Sequence, residues 1–276
     1  MSNYPLEAGG VNDYPVKVGS ILLTLVDPHK GYEKAYNRWY ERDHYYAGEM
    51  IGPFAFAGSR WVATRELKDL RWPAGEVAVA RPTDAGSYVA IYFVEKGHHI
   101  DHFDNWSRDQ VRGLYADGRG FSERTHIHTA LFDHLGAVYR DPDPVPVDLA
   151  LDHRYDGIFG VWLDATNGSA VDLHAELAQE HLPRLLAGSD IEIAASFTPS
   201  AGENDEKDVP MDLGSKAGGP ERLLHLLFVK GDVRESSAKV RDYTAGVEAA
   251  GLATLRLAAP FFATNVGTDS YIDQLW

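Results

Sequence analysis

The sequence predicts an α+β fold of two tandem β-α-β-β-α-β units joined by a short linker. Three observations predict it. Short apolar runs alternate with helical periodicity, in the same order twice, along the 276 residues. Tyr36 to His44, YNRWYERDH, is echoed half a chain later by Leu173 to His181, LHAELAQEH, each ending in a histidine. Between the halves, Asp141 to Val147 reads DPDPVPV, an extended proline-rich joint. The expected divisions are an N-terminal arm over 1–18, a first unit over 19–140, a linker over 141–156, a second unit over 157–264 and a tail over 265–276.

The arm carries Gly9-Gly10 and prolines and reads as loose. Ser20 to Val26 is an apolar run closed by Asp27-Pro28, a strand ending in a turn. A helix starts at about Tyr32, because Tyr32, Ala35, Tyr36 and Trp39 recur at i, i+3, i+4 and i+7. Tyr36, Tyr40 and His44 form a row beside that face, and Gly52-Pro53 ends the segment. Phe54 to Ala63 reads as a strand, residues 64–86 as an irregular connection, and Tyr88 to Val94 as a strand. A helix from about Ile100 to Tyr115 puts Phe103, Trp106, Gln110 and Leu114 roughly on one face. Thr125 to Leu131 alternates and closes the first unit.

The second half repeats the order: strand Ile158 to Leu163, helix Val171 to His181 stopped near Pro183, and strand Ile191 to Phe197. A mobile polar loop over 200–219 follows, then strand Leu223 to Val229, a helix from about Glu235 to Ala250, and strand Leu252 to Ala258. Each unit is ferredoxin-like in element order. The terminal SYIDQLW should dock its aromatics on the body. One constant offset sets Asp27 on Asp164, Gly31 on Gly168, Asp43 on Glu180 and His44 on His181, which makes duplication the better explanation.

Hydrophobic and charged contents of 44% and 24% are those of a soluble globular chain. No apolar run reaches the ~18 residues of a membrane span, and the N-terminus does not read as a secretory signal. A net charge of -15 argues against nucleic acid and anionic membranes as partners. The absence of cysteine removes disulfides, thiolate metal sites and cysteine nucleophiles, and fits a cytoplasmic protein. Twelve histidines and an aromatic content of 11% point instead to proton transfer in pockets for flat organic ligands. Neither a nucleotide-binding glycine motif nor a G-x-S-x-G elbow is present, so nucleotide-dependent and triad-hydrolase chemistry has no local support.

Trp39-Tyr40-Glu41-Arg42-Asp43-His44 in the first half and Gln179-Glu180-His181-Leu182-Pro183-Arg184-Leu185-Leu186 in the second resemble the EthD branch of the dimeric α/β-barrel superfamily. The resemblance covers about residues 19–140 and 157–264. The first half has Tyr45-Tyr46 where the family has a proline after the histidine, and the second has Glu176 where Trp39 stands. The resemblance implies that the two sheets pack as a barrel within one chain, and it leaves a homodimer of whole chains open. It also implies chemistry on aromatic or cyclic, polyketide-like or aromatic-catabolic molecules: cofactor-free oxygenation, cyclisation, isomerisation or lyase chemistry. Some tandem relatives bind haem.

Among candidate residues, His44 and His181 are helix-end histidines suited to acid–base work, with carbonyl capping as the plainer role. His44 has Tyr36 and Tyr40 in its row. His126 and His128 are two apart on a strand, so they should share a face and look into the barrel lumen, as base plus electrophile or as metal ligands. His225, polar within LLHLLFV, either lines a pocket or is a satisfied core histidine. Arg60, Trp61, Tyr88 and Tyr92 are candidate pocket walls, with Arg60 able to stabilise an enolate or carboxylate. His98, His99, Asp101, His102 and Asp104 look metal-like by composition but read better as a solvated helix start.

The expected function is a cofactor-independent enzyme using His44, His126 and His128 on a flat aromatic or cyclic small molecule. Tyr36, Tyr40, Arg60, Trp61, Tyr88, Tyr92, His181 and His225 would bind it. The alternatives are a haem enzyme with His225 or His181 as axial ligand, a non-catalytic small-molecule binder, and a metal enzyme.

Overall fold

Strict alternation builds the first strand, β1 (Val18–Pro28). Ile21, Leu23 and Leu25 point to one side, each fully buried, and Leu22, Thr24 and Val26 point to the other. This computed structural model describes residues 15–201 and 209–276, so most of the expected arm and part of the 200–219 loop lie outside the described residues. β2 (Ala55–Val62), β3 (Tyr88–Glu95) and β4 (Arg124–Tyr139) complete a sheet in the order β4-β1-β3-β2. β5 (Gly157–Ala165), β6 (Ile191–Pro199), β7 (Arg222–Val229) and β8 (Ala253–Ala263) repeat that order as β8-β5-β7-β6. Antiparallel seams β4–β6 and β2–β8 close one eight-stranded barrel, which leaves the sheets no free edge.

The seams are unequal. β2 meets β8 only at Trp61 and Val62, whereas Phe132 to Tyr139 pair along β6. β4 therefore runs well past Leu131, where the alternation suggests it should stop. Asp133, His134 and Gly136 hide the extension in the sequence, and pairing with the other unit supplies the stability that local propensity lacks.

The lumen is a packed core. Leu23, Ile91, Trp61, Phe132, Trp162 and Phe228 are each at most 2% exposed, and Trp61 meets Phe228 across the two sheets with ring centroids 6.4 Å apart. Burying each such side chain contributes roughly 1.5–3 kcal/mol. The expectation of a ligand pocket inside the barrel gives way here.

Helices cover the outside. On the first sheet, α1 (Glu33–Trp39) continues through π-helical turns over Tyr40–His44 and Tyr46–Met50. A further π-helical stretch, Ile100–Ser107, leads into α3 (Arg108–Ala116). Such wide turns are rare and often mark functional sites. The connection expected to be irregular contains α2 (Arg65–Asp69) and is pinned by Arg71, which donates to the carbonyls of Ala85 and Gly86 at 2.6 Å each.

The second sheet is covered by α4 (Ala170–Gln179), α5 (His181–Leu186) and α6 (Val233–Ala249). Pro183 does not stop the helix before it. It sits in the first turn of α5, where its missing N–H costs no helical bond. The tail docks as expected: Tyr271 stacks on Phe262 and Leu275 is fully buried. No helix among the described residues is long and apolar enough to cross a membrane.

Candidate functional site

The layer between the first sheet and its helices is not filled. Thr24 and Val26 of β1, Tyr92 of β3, and His126 and Thr129 of β4 form a floor. Tyr36, Tyr40, His44 and Glu49 cover one side, and Phe103, Ser107 and Val111 another. Val209, Met211 and Leu213 reach over from the second unit. The cavity is about 140 Å³. Apolar cavities of about 150 Å³ admit benzene, so a ring-sized molecule fits.

A β-bulge decides which histidine reaches this cavity. Leu25 pairs with His128 but Val26 pairs with His126, so Ile127 is the extra residue. The bulge reverses the alternation, and His126 and His128 face opposite sides of the sheet. Backbone bonds from a later segment hold it, Ser215 N–H to the Ile127 carbonyl at 2.8 Å and Thr129 N–H to the Leu213 carbonyl at 2.9 Å. His126 lines the cavity with Nδ1 bonded to Thr129 Oγ1 at 2.7 Å, while its buried Nε2 has no hydrogen-bond partner.

His44 is placed by packing. Its ring stacks on Trp39 with centroids 4.3 Å apart. On the other side lies Gly48, where a Cβ would stand 3.0 Å from the ring's Cε1 and Nδ1. Among the described residues no hydrogen bond holds either ring nitrogen. Burial pushes His44 down to about 3, with Arg124 adding to the effect and Asp43 opposing it. Burial likewise pushes His126 to about 3, helped by Arg124 and His44. Both imidazoles are neutral near pH 7.

Arg124 is a permanent cation of the site, and Arg108, paired with Asp104, lines the cavity as well. Arg124 is 9% exposed, lies over the Trp39 ring at 4.4 Å, and donates to the Tyr115 hydroxyl at 2.7 Å. The Tyr40 and Tyr92 hydroxyls are 2.5 Å apart. Burial pushes both phenols up, so both keep their protons. Only one O–H is used between them, which leaves one to donate to a ligand.

Of the residues expected at the site, Tyr36, Tyr40, His44, Tyr92 and His126 come together. The others do not. Arg60 lies behind the tyrosines, over Tyr88 at 4.0 Å and Tyr40 at 4.7 Å, and donates to Asn37 Oδ1 at 2.5 Å. Tyr88 is buried with it, and Trp61 faces the lumen. His128 is also in the lumen, bonded to Ser215 Oγ at 2.9 Å, with its ring against Trp162. His181 sits in a groove with Arg184, Leu185, Lys239, Asp242 and Tyr243 on the second unit. His225 is the satisfied core histidine, with Nδ1 on Ser196 Oγ at 2.9 Å and Nε2 on the Tyr243 hydroxyl at 3.0 Å. The His225–Tyr243 pair fills, beneath α6, the layer that is hollow in the first unit. Among the described residues no cluster of three histidine or carboxylate side chains could hold a metal.

Arg124, Arg108, Thr129 and Glu49 line the cavity without standing out in the sequence. Arg124 had a usable signal, since it stands two residues before His126 on one strand and shares its face. Glu49 had none: its partners, His102 and Ser107, come from the other helical segment.

No protein-family model and no curated protein sequence matches the chain. Among solved structures it is similar to an anthrone oxidase-like protein, with TM-score 0.52, 8% identity, and coverage of 92% of this chain and 95% of that one. It is similar to a DypB variant of Rhodococcus jostii in complex with haem, with TM-score 0.51, 9% identity, and coverage of 94% and 96%. The encapsulated DyP-type peroxidase from Mycobacterium smegmatis gives TM-score 0.51, 10% identity, and the same coverage. The finer likeness to the EthD branch is carried by the short helix-end motifs alone. At these identities the likeness is one of fold, and the fold is the ferredoxin-like α/β-barrel that the sequence predicts.

Proposed function

We propose that the chain is a cofactor-independent enzyme that removes a proton from a flat, electron-rich aromatic or cyclic molecule held in the first-unit cavity. One observation carries this reading: two neutral imidazoles, His44 and His126, share a ring-sized cavity with the guanidinium of Arg124. A neutral imidazole accepts a proton, and a guanidinium stabilises the enolate or phenolate left behind. An imidazole held near 3 is a weak base by itself, but the anion it creates pairs with the imidazolium and offsets part of the burial penalty. The spare O–H of the Tyr40–Tyr92 pair would donate to the substrate oxygen.

From the anion, reprotonation elsewhere gives isomerisation or ring closure. Electron transfer to dioxygen gives oxidation. When a ring methylene is oxidised, each dioxygen consumed turns one methylene carbon into a carbonyl and releases one water. The carbanion supplies the electrons, and the base collects both C–H protons in turn and passes them to the oxygen that leaves as water. The fold likeness to an anthrone oxidase-like protein favours the oxidase version. Oxygen uptake with a one-ring cyclic ketone bearing an activated ring methylene tests it, and Arg124→Gln should lower kcat/KM by about 10²-fold. Unchanged kcat/KM in that variant would remove the guanidinium from the mechanism.

The haem-bound neighbour makes haem the second reading. The two histidines expected as axial ligands favour it less. His225 is fully buried with both ring nitrogens bonded, and His181 opens on a groove that Arg184, Lys239 and Asp242 line together with Leu185 and Tyr243. The cavity beside His44 and His126 is ring-sized, smaller than a macrocycle. Titrating the protein with haemin should give no saturable one-to-one Soret shift, and a shift abolished in His181→Ala would establish haem binding.

A further inference from the structure

Glu49 lines the cavity yet is 4% exposed, and it faces the same space as Arg124. A bare carboxylate there would oppose any ring anion. It is not bare. Glu49 Oε1 lies 2.8 Å from His102 Nε2, and its Oε2 accepts from the Ser107 hydroxyl at 3.2 Å. His102 Nδ1 is 2.7 Å from the Pro53 carbonyl oxygen. A carbonyl can only accept, so Nδ1 carries a proton, and a second proton must lie between Nε2 and the carboxylate. Wherever that proton sits, the pair is neutral.

We propose that Glu49 and His102 form a charge-cancelling pair that lets the cavity take up a ring anion, and that loss of their shared proton weakens anion binding. The inference rests on the reading that the cavity is where the small molecule binds. With the pair neutral, and Arg108 on the cavity wall paired with Asp104, Arg124 sets the sign of the cavity. Once the proton leaves, a buried negative charge stands on the same wall and opposes it.

The surroundings of His102 support the assignment. From the Tyr46–Met50 turns it meets Glu49, and from the connection before β2 it meets Pro53 and Gly52, where a Cβ would stand 2.6 Å from the imidazole Cε1. From its own segment it meets the rings of Phe103 and Trp106. The nearby charged and titratable groups of that segment are paired, Asp101 with His98, His99 with Asp133, and Asp104 with Arg108, which itself lines the cavity. Burial disfavours the charged ring, but the hydrogen bond and charge of Glu49 outweigh it and hold His102 above its ordinary value. Anion binding should therefore persist through neutral pH and fall on the alkaline side.

The test uses the full chain and two probes, 2,4-dinitrophenolate as the ring anion and nitrobenzene as its neutral counterpart. Affinities are measured between about pH 6 and about pH 9.5, spanning the histidine range from below its ordinary value to well above it. Wild type should lose about tenfold in dinitrophenolate affinity across that range, the effect of one added charge at close quarters, with nitrobenzene unaffected. Glu49→Gln should keep the low-pH affinity at high pH. His102→Gln, leaving the carboxylate charged, should bind the anion weakly throughout. Opposite directions for the two variants separate charge cancellation from mere support of the wall, and Glu49→Gln alone decides if His102→Gln does not fold. The proposal fails if wild type does not bind dinitrophenolate, if its affinity is flat with pH, or if both variants weaken it alike. The expected binding pattern without turnover of any substrate would refute the proposed reaction and leave this inference standing.

Discussion

Replacing His44 by glutamine is expected to lower kcat by roughly 10²- to 10⁴-fold, the span for removing a general acid–base group. Its thermal midpoint should barely move. The reason lies in how the ring is held: it is stacked on Trp39 and seated on Gly48, with no hydrogen-bond network to break. Glutamine fills most of the same space. Gly48→Ala is the companion variant. In an ordinary helix interior that change stabilises by roughly 0.5–1 kcal/mol. Here the new methyl would press on the imidazole at 3.0 Å and push it from its seat. Activity should fall with no matching loss of stability. A His44→Gln enzyme with full turnover would move the base to His126 or out of the cavity altogether.

The two sheets were legible because period-two apolar runs such as Ser20 to Val26 and Tyr88 to Val94 admit little else. The pocket was not, for a physical reason. A closed barrel wrapped in helices buries both faces of its strands, so neither face carries the polar marker that tells lumen from surface. His225 shows this: Leu224 and Leu226 beside it looked equally able to lie under helices or in the lumen, and only the Tyr243 hydroxyl fixes the choice. His126 and His128 fail differently. Ile127 is an ordinary strand residue, and the bulge it makes is held by residues 213–215, far along the chain. By contrast, the row Tyr36, Tyr40 and His44 survives, because the π-helical turn changes the pitch while keeping the three side chains on the cavity. The half-chain echo was right about duplication of elements and silent about function, since the second copy of the layer is plugged by His225 and Tyr243.

Acidification should destabilise the protein steeply between pH 6.5 and 5, through histidines that the fold keeps neutral. His128 and His225 are both wholly buried, and burial pushes them down to about 4 and about 3. Unfolding lets each ring take up a proton it cannot hold when folded. Below the ordinary value of 6.5 the unfolded chain therefore binds more protons, so stability is full above that value and is lost as pH falls towards the folded values. At pH 5 each of the two costs about 2 kcal/mol, at roughly 1.4 kcal/mol per pH unit. Together they remove about 4 kcal/mol from a stability of roughly 5–15 kcal/mol, which lowers the thermal midpoint by about 10 °C. His44, His126 and His134 act in the same direction with smaller weight, because they are only partly buried. Thermal melts at a series of pH values measure the slope. The double variant His225→Leu with Tyr243→Phe removes one of the two buried rings and its partner hydroxyl together, so it should flatten the slope by about half of that 4 kcal/mol. A midpoint that stays constant from pH 7 to pH 5 would mean that these imidazoles are hydrated or charged in the folded chain, and the same would then have to be asked of His44 and His126 in the cavity.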